Sequence, residues 1–427
     1  MFRRKFHSLG MSKLSLLLFA AILNALVLFF VNTIVDTPYM DETFHVHQFL
    51  EIEKWIFSKK ESEKTLVWDE SITTFPGLYL VSIPVSFFSA NLFLLRAINA
   101  ILLPTITFLI LMRITKSDNS LSLSAIFSPL NFFYSFLYYT DTVATVAVLV
   151  LVLLKAQKRF ALMGIFGAIA VLMRQTNIVW LFGFCLSKLL PRTHTSTFLS
   201  LCVSVIRDFY TSIAVGLGFV VFFVWNNYSV VLGHQEFHSF SLHFAQINYF
   251  VLTCVACTGP KEWCEILVKS VKNTRRSAFL VFFALSVLAS ELGTVVHPFI
   301  LADNRHYSFY FYRYFLSKRW IRSLVIPALV SLSILHSKIF ALERKYRIMS
   351  KPVFWLCSFI CLVPTPLLEF RYFTIPYLLL LLSSPWNRKE LLFSNLFLSM
   401  LVNAAVMYTF LYRPFRSPDG SLSRFMY

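Results

Sequence analysis

Apolar runs of about 20 residues recur along almost the whole chain and are separated by short polar stretches. Because a bilayer core of roughly 30 Å requires a helix of about 20 apolar residues, each run is a candidate transmembrane span. These runs lie near residues 14–35, 72–90, 92–112, 121–138, 142–154, 161–187, 196–232, 278–300, 321–341, 352–368, 372–385 and 391–412. The longest runs have room for two helices, so the pattern predicts an all-α polytopic membrane protein with about 11–14 transmembrane helices.

The polar stretches between the runs are too short for a soluble domain of ordinary size. The longest are residues 36–71 and 233–277. We therefore expect residues 1–427 to form one transmembrane domain whose functional groups lie in loops and at helix ends. The basic residues at positions 3–5 are expected to hold the N-terminus in the cytosol, so the first span delivers residues 36–71 to the lumenal or extracellular face.

Part of the stretch 36–71 has apolar residues at the spacing of an amphipathic helix. Apolar residues at helical spacing alternate with polar ones over residues 44–57. This spacing predicts a short amphipathic helix that lies at the membrane interface.

Composition supports the membrane assignment, since 57% of the residues are hydrophobic and 14% are charged, against roughly 25% charged in soluble domains. The net charge of +18 would suit a nucleic-acid partner. However, the basic residues are scattered among short loops, as the positive-inside rule explains, so no nucleic-acid binding is expected. The sequence also lacks the GxxxxGK[ST], HExxH and GxSxG motifs of soluble nucleotide-binding proteins and hydrolases.

The stretch "PYMDETFHVHQ" contains an adjacent acidic pair, Asp41 and Glu42. On a helix that begins near Pro38, Asp41 and His45 share a face, and Gln48 follows one turn later. A carboxylate next to Glu42 and close to a low-dielectric boundary has a raised proton affinity, which suits a general base. The alternative is that both acids are helix N-terminal charges.

Other polar groups interrupt apolar surroundings, where ionisable residues are costly and often functional. They are Asp141 in "LYYTD", Arg174, Gln175 and Asn177 in "RQTNIVW", Arg305 and His306 in "LADNRHYSFY", and Arg371 in "EFRYFTIPY". An Arg with a His suits a phosphate, although a plain basic loop explains Arg305 and His306 as well. The group of Arg174, Gln175 and Asn177 fits interhelical hydrogen bonding as well as a substrate contact. Arg371 with Glu369 fits a membrane-edge ion pair.

Six blocks together resemble one family, and they cover the chain from about residue 38 to residue 377. They are "YMDETFHVHQ", "WDESITTFPGLYL", "LYYTD", "RQTNIVW", "LADNRHYSFY" and "EFRYFTIPY". In this order they resemble the eukaryotic alpha-1,2-glucosyltransferases of the endoplasmic reticulum, members of the GT-C superfamily that add the last glucose to the lipid-linked oligosaccharide. The chain departs from the family pattern at His47, where a proline is usual, at Glu70, and over residues 234–237.

The resemblance implies a multi-pass protein of the endoplasmic reticulum membrane whose active site faces the lumen. It implies transfer of glucose from dolichyl phosphate glucose to Glc2Man9GlcNAc2-diphosphodolichol, in contact with membrane lipid, by one inverting displacement. This branch of the superfamily is generally metal-independent, so no metal and no cofactor are expected. The alternatives are a secondary transporter, a non-catalytic membrane scaffold and a related dolichyl-phosphate-mannose transferase.

The resemblance also implies roles for the polar residues. Asp41 is the expected base, with Glu42 as the alternate or as the group that tunes it. Arg305 and His306 are expected to bind the donor phosphate, and Arg371 is a weaker candidate. The residues expected to bind sugar or to brace the cavity are His45, Gln48, Trp68, Asp69, Asp141, Arg174, Gln175 and Asn177.

Overall fold

A computed structural model gives the fold of the chain. It describes residues 13–58, 66–89, 91–115, 119–193, 197–238, 240–341, 348–384, 388–417 and 420–427. The basic residues at positions 3–5, on which the predicted orientation depends, lie outside these ranges.

The described chain is mostly helical. Its α-helices are α1 (Lys13–Ile34), α2 (Glu42–Phe57), α3 (Gly77–Ser82), α4 (Leu92–Ala97), α5 (Leu103–Ile114), α6 (Asn119–Ile126), α7 (Pro129–Phe132), α8 (Thr140–Ala156), α9 (Phe160–Met173), α10 (Asn177–Thr193), α11 (Phe198–Trp225), α12 (Ala245–Ala256), α13 (Pro260–Asn273), α14 (Arg276–Leu292), α15 (Pro298–Ala302), α16 (Tyr307–Phe311), α17 (Ile326–His336), α18 (Lys351–Leu362), α19 (Thr374–Ser383) and α20 (Arg388–Tyr412). Two short strands, β1 (Phe415–Arg416) and β2 (Leu422–Ser423), form an antiparallel hairpin after α20.

Within the described residues, four helical segments are long and apolar enough to cross a membrane: Lys13–Ile34, Leu92–Ile114, Leu199–Trp225 and Ser394–Tyr412. The helical segments Tyr307–Leu316 and Ile321–His336 meet at 92°, and they would add a fifth candidate span if together they form one bent span. Six shorter apolar helices have 10–17 residues, or roughly 15–26 Å at 1.5 Å per residue, less than a bilayer core. The architecture is therefore an all-α polytopic membrane protein, and the count of 11–14 spans stays a prediction.

Helix α8 lies at the centre of the larger hydrophobic core. Twelve of its seventeen residues are buried, because "TDTVATVAVLVLVLLKA" is apolar on nearly every side. Helices α5, α9 and α10 pack around it. This packing holds the first turn of α8, which carries Asp141, in place.

The helix predicted over residues 44–57 is present as α2, which begins two residues earlier at Glu42. Its buried face differs from the expected one. Glu42, His45 and Gln48 are buried beside Phe49 and Ile52, whereas Phe44, Ile56 and Phe57 are exposed. Polar side chains of α2 therefore share the contacts to the rest of the fold with Phe49 and Ile52.

The segment 233–277, expected as a second polar loop, is largely helical and contains α12 and α13. The apolar stretch "INYFVLTCV" makes α12 a packed helix, with Tyr249, Phe250 and Cys254 fully or almost fully buried. Helix α13 instead has polar and apolar faces and begins with Pro260 at its first position, which suits a helix start.

Candidate active site

A cavity of about 720 Å³ opens where α2, the start of α8, the loop before α16 and the turn before α19 meet. We call it the main cavity. It is lined by Asp41, His45, Tyr134, Tyr139, Arg174, Asp303, Arg305, His306, Glu369 and Arg371, and by Ser417, Ser421 and Met426 of the C-terminal segment, among others. Its volume falls in the range of ligand sites. Six separate segments of the sequence thus meet around one space.

Asp41 stands at the N-terminus of α2, and its side chain is 46% exposed. The preceding Met40 has a left-handed backbone with φ of 56°, a conformation that non-glycine residues adopt mainly in tight turns. The backbone N–H of Asp41 donates to the hydroxyl of Tyr139 at 3.1 Å. Both terminal nitrogens of Arg371 lie 3.4 Å from its Oδ2. The Asp41 carboxylate therefore faces the cavity beside a cation and keeps room for a substrate hydroxyl.

Glu42 is oriented away from this cavity and is fully buried. Arg96 donates to both of its oxygens, from Nε to Oε1 at 2.8 Å and from Nη2 to Oε2 at 2.6 Å. The backbone N–H groups of Tyr138 and Tyr39 donate to the same carboxylate at 2.7 and 3.0 Å. The acidic pair therefore divides into one carboxylate in the cavity and one in the core. Sequence reasoning missed Arg96, although a lone arginine within "NLFLLRAINA" was a visible signal.

Arg371 is the cation nearest to Asp41. Its guanidinium also lies 3.8 Å from the carboxylate of Asp141 and is ion-paired with Glu369. It packs over the rings of Tyr134 and Tyr139, with centroids 5.5 and 5.6 Å from Cζ, where the aromatic faces stabilise the charge. These ion pairs and ring contacts together fix the orientation of the Arg371 guanidinium.

Asp141 and Arg174 form the second ion pair of the site, with Nη1 2.5 Å from Oδ1. Asp141 is buried in the first turn of α8, a position favoured for a carboxylate. Arg174 follows the C-terminus of α9 and packs over the ring of Tyr372 at 5.4 Å. The residues 174–176 break the predicted run 161–187 into α9 and α10, which places the Arg174 side chain at the cavity.

Arg305 and His306 also line the main cavity, and both contact Asp303. Arg305 donates to the two oxygens of Asp303 at 2.8 Å each, and His306 Nε2 lies 3.7 Å from Oδ2. Burial opposes ionisation of Asp303, but the hydrogen bonds from Arg305 and the nearby His306 hold its pKa below the usual range. The hydrogen bond to Asp303 raises the pKa of Arg305, and the charge of Asp41 adds to that effect.

The C-terminal segment completes the cavity, which sequence reasoning did not anticipate. The N–H of Met426 donates to the carbonyl of Arg305 at 2.9 Å, and the N–H of Tyr307 donates to that of Met426 at 2.9 Å. Nδ1 of His306 lies 2.6 Å from the carbonyl oxygen of Tyr427, so this nitrogen carries the proton. The segment therefore fixes the loop that presents Arg305 and His306.

The remaining predicted site residues divide into two groups. His45 lines the main cavity and contacts the Tyr79 hydroxyl at 2.8 Å, and Gln175 lines an adjoining smaller chamber. Among the described lining residues of both spaces, Gln48, Trp68, Asp69 and Asn177 do not occur.

These four residues have contacts that explain their burial or position. Gln48 donates to the carbonyl of Val67 at 3.1 Å and accepts from the N–H of Asp69 at 2.7 Å. Trp68 packs edge to face on Tyr79, and Asn177 donates to the carbonyl of Ala170 at 2.8 Å. In this arrangement they hold the loop 66–71 and the α9–α10 junction in place rather than reach the cavity.

The described part of the chain holds no group of three or more His, Cys, Asp or Glu side chains arranged to bind a metal ion. The carboxylates in and beside the main cavity are instead matched by arginines in three pairs: Asp141 with Arg174, Asp303 with Arg305, and Glu369 with Arg371. The site can therefore offer a carboxylate base beside several fixed cations.

Comparison with known proteins identifies the family. The family model of the DIE2/ALG10 family matches residues 35–198 and 185–382. The chain belongs to the DIE2/ALG10 family. The cavity-lining residues from Asp41 to Arg371 fall within the match to the DIE2/ALG10 model, whereas the C-terminal segment lies beyond it.

Curated relatives of this DIE2/ALG10 chain match it over most of their length. A protein of Drosophila melanogaster is 32% identical over 88% of this chain and 90% of its own length. Relatives from Arabidopsis thaliana and Homo sapiens are 29% and 27% identical, over 93% and 91% of this chain and 96% and 93% of their own lengths. All three are named Dol-P-Glc:Glc(2)Man(9)GlcNAc(2)-PP-Dol alpha-1,2-glucosyltransferase.

The resemblance inferred from the six sequence blocks is thus confirmed at the level of the DIE2/ALG10 family. No solved structure matches the chain.

Proposed function

We propose that this protein transfers glucose from dolichyl phosphate glucose to Glc2Man9GlcNAc2-diphosphodolichol and forms the terminal alpha-1,2-glucosidic bond. One observation carries the proposal. In a chain whose relatives bear the name of this activity, the half-exposed carboxylate of Asp41 lies 3.4 Å from the largely buried guanidinium of Arg371 in one large cavity. A base and a phosphate-binding cation are the two groups that the reaction needs at its centre.

The proposed reaction is a single displacement at the anomeric carbon. Asp41 accepts the proton of the acceptor hydroxyl, while the oxygen of that hydroxyl forms the new bond to the anomeric carbon. The bond between the anomeric carbon and the phosphate oxygen breaks, and its electron pair leaves on dolichyl phosphate. One displacement inverts the beta-linked donor to an alpha-linked product.

The leaving phosphate gains negative charge in the transition state, and cations placed beforehand can stabilise it without a strong general acid. Arg371 is nearest to Asp41, so we assign it the main role. Arg305 and His306 line the same cavity and are assigned to the same phosphate. A guanidinium offers a fixed fork of donors that fits phosphate oxygens. With these cations the proposed step requires neither a metal ion nor a cofactor.

The proposed location is the membrane of the endoplasmic reticulum, with the main cavity open to the lumen. The multi-span fold supports the membrane location. The expected cytosolic N-terminus places the end of α1, and with it Asp41, on the lumenal side. The dolichyl chains of both substrates would lie between spans in contact with membrane lipid.

The experiment is to analyse lipid-linked oligosaccharides in cells that lack the protein, and to add back the wild-type chain. The proposal requires accumulation of the two-glucose species and its conversion to the three-glucose species on complementation. Accumulation of a mannose-deficient intermediate would instead identify a dolichyl-phosphate-mannose transferase. An unchanged oligosaccharide profile would contradict any role in this assembly and favour a transporter or a scaffold.

A further inference from the structure

A smaller chamber of about 150 Å³ adjoins the main cavity, whose volume is about 720 Å³. We call it the side chamber. The two spaces share five lining residues, which are Thr73, Thr74, Arg174, Arg371 and Tyr372. The guanidinium groups of Arg174 and Arg371 therefore stand at the boundary between the two spaces.

The side chamber contains buried polar atoms that lack a partner. Asp141 lines it and is only 4% exposed, yet its Oδ2 has no hydrogen bond among the described residues. Nη1 of Arg371 lies 3.8 Å from this oxygen. The hydroxyl oxygen of Thr74, which also lines the chamber, is likewise buried without a described hydrogen-bond partner. Because an unsatisfied buried polar atom costs about 1–3 kcal/mol, this chamber suits a ligand that brings hydroxyl groups.

The other lining residues support a neutral ligand with several hydroxyl groups. The threonines Thr145 and Thr365 and the amide of Gln175 add polar atoms, and Trp180 adds an aromatic wall. The charge of Asp141 is already balanced by Arg174 at 2.5 Å. The chamber has about one-fifth of the volume of the main cavity, so it suits one monosaccharide ring and not a branched oligosaccharide.

We propose that the side chamber binds the glucosyl ring of the donor, while its phosphate contacts Arg371 at the boundary and the acceptor enters through the main cavity. This assignment rests on the proposed function and adds the position of the donor sugar. Hydroxyl groups of the ring donate to Oδ2 of Asp141 and to Thr74. The two substrates then approach the boundary from opposite sides, with Asp41 on the acceptor side.

The test uses the purified full-length chain and measures three quantities for each variant. These are the KM for dolichyl phosphate glucose, the KM for the two-glucose acceptor and the inhibition constant of dolichyl phosphate, which lacks the sugar. Thr74→Val removes the unpaired hydroxyl, and Val231→Phe places a ring in the side chamber, which Val231 lines. Thr142→Val is the matched control, because Thr142 is buried and its hydroxyl is also unpaired among the described residues, but it lines neither space.

We expect Thr74→Val to raise the donor KM about three- to tenfold, as the loss of one hydrogen bond predicts. Val231→Phe should raise it further, and Thr142→Val should leave it unchanged. The inhibition constant of dolichyl phosphate should stay within about twofold throughout, because no sugar is involved. A parallel rise of that constant, or a rise of the acceptor KM alone, would overturn the assignment. Absence of transfer by the wild-type chain would instead refute the proposed function.

Discussion

Glu42 and Arg96 form a bidentate ion pair that is completely buried, with nitrogen–oxygen distances of 2.8 and 2.6 Å. Arg96 also donates to the carbonyl oxygens of Val35 and Thr37 at 2.6 and 3.1 Å. The pair thus ties the end of α1 to the start of α2, and the turn between them presents Asp41. Two adjacent carboxylates therefore have different positions, one as a buried anchor and one facing the main cavity.

Breaking this pair should destabilise the protein more than removing it whole. Glu42→Gln or Arg96→Met alone leaves one buried charge without its partner, which typically costs about 3–5 kcal/mol. The double variant Glu42→Met with Arg96→Met removes both charges and should cost less than the sum. Thermal unfolding of the detergent-solubilised chain measures both effects. Single variants as stable as the wild type would show that the pair is not an anchor.

Asp41→Asn should leave stability nearly unchanged and abolish most of the transfer activity. A positioned general base contributes about 10²–10⁴ in rate, so kcat should fall by that factor while the donor KM changes little. Asp36→Asn is the matched control, because Asp36 is an exposed aspartate in the same turn. The measurement is transfer of labelled glucose from dolichyl phosphate glucose. If the Asp41→Asn variant retains normal transfer, Asp41 is not the base.

Arg371→Lys should impair the reaction although it keeps the charge. Lysine is a single flexible point charge, whereas the arginine contacts Asp41, Asp141 and Glu369 at once. We expect kcat/KM to fall about tenfold or more and the inhibition constant of dolichyl phosphate to rise. Arg319→Lys, at an exposed ion pair with Glu291, should have no effect. Unchanged inhibition by dolichyl phosphate would remove Arg371 from the phosphate site.

The sequence predicted the membrane class, the helix after the first span and the blocks that carry Asp41, Asp141, Arg174 and Arg371. Hydrophobic periodicity and intramembrane charge are local signals, and both can be detected without a fold. The partner of Glu42 could not be found in this way, because Arg96 is 54 positions away and their contact depends on packing.

Two segments make contacts that the sequence did not predict. Trp68 and Asp69 have side chains that could bind sugar, but residue type does not reveal orientation, and Gln48 holds this loop against α2. The C-terminal segment carries no catalytic motif. Its contribution consists of backbone contacts to Arg305 and His306, which sequence patterns do not encode.

Arg424 should be needed to keep that C-terminal segment in place. Its guanidinium donates to the carbonyl oxygens of Phe410 and Leu411 at 2.9 Å each and to that of Ile34 at 3.3 Å, so it satisfies the ends of two helices. Arg424→Gln should lower stability by about 1–3 kcal/mol and raise the donor KM, because Arg305 and His306 lose their support. Arg416→Gln, an exposed arginine of the same hairpin, is the control. Wild-type kinetics for the Arg424→Gln variant would contradict a positioning role of the segment.

Acidification should destabilise the protein through His45. Burial lowers the pKa of His45 to about 4, while Asp41 and Arg371 act on it in opposite directions. The unfolded chain titrates near its ordinary value of about 6.5, so between that pH and about 4 the unfolded state binds a proton that the folded state does not. The stabilisation is therefore present above pH of about 6.5 and is lost as the pH falls through this window.

Burial also lowers the pKa of His243 to about 4, so the wild-type melting temperature alone cannot separate the two histidines. The informative comparison is wild type against His45→Gln and against His243→Gln, with melting temperatures measured from about pH 7 to about pH 4.5. Each variant should lose part of the pH dependence, because a glutamine binds no proton in the unfolded state. If His45→Gln keeps the full wild-type slope, then His45 binds its proton in the folded protein, and its contact with the Tyr79 hydroxyl at 2.8 Å does not require the neutral ring.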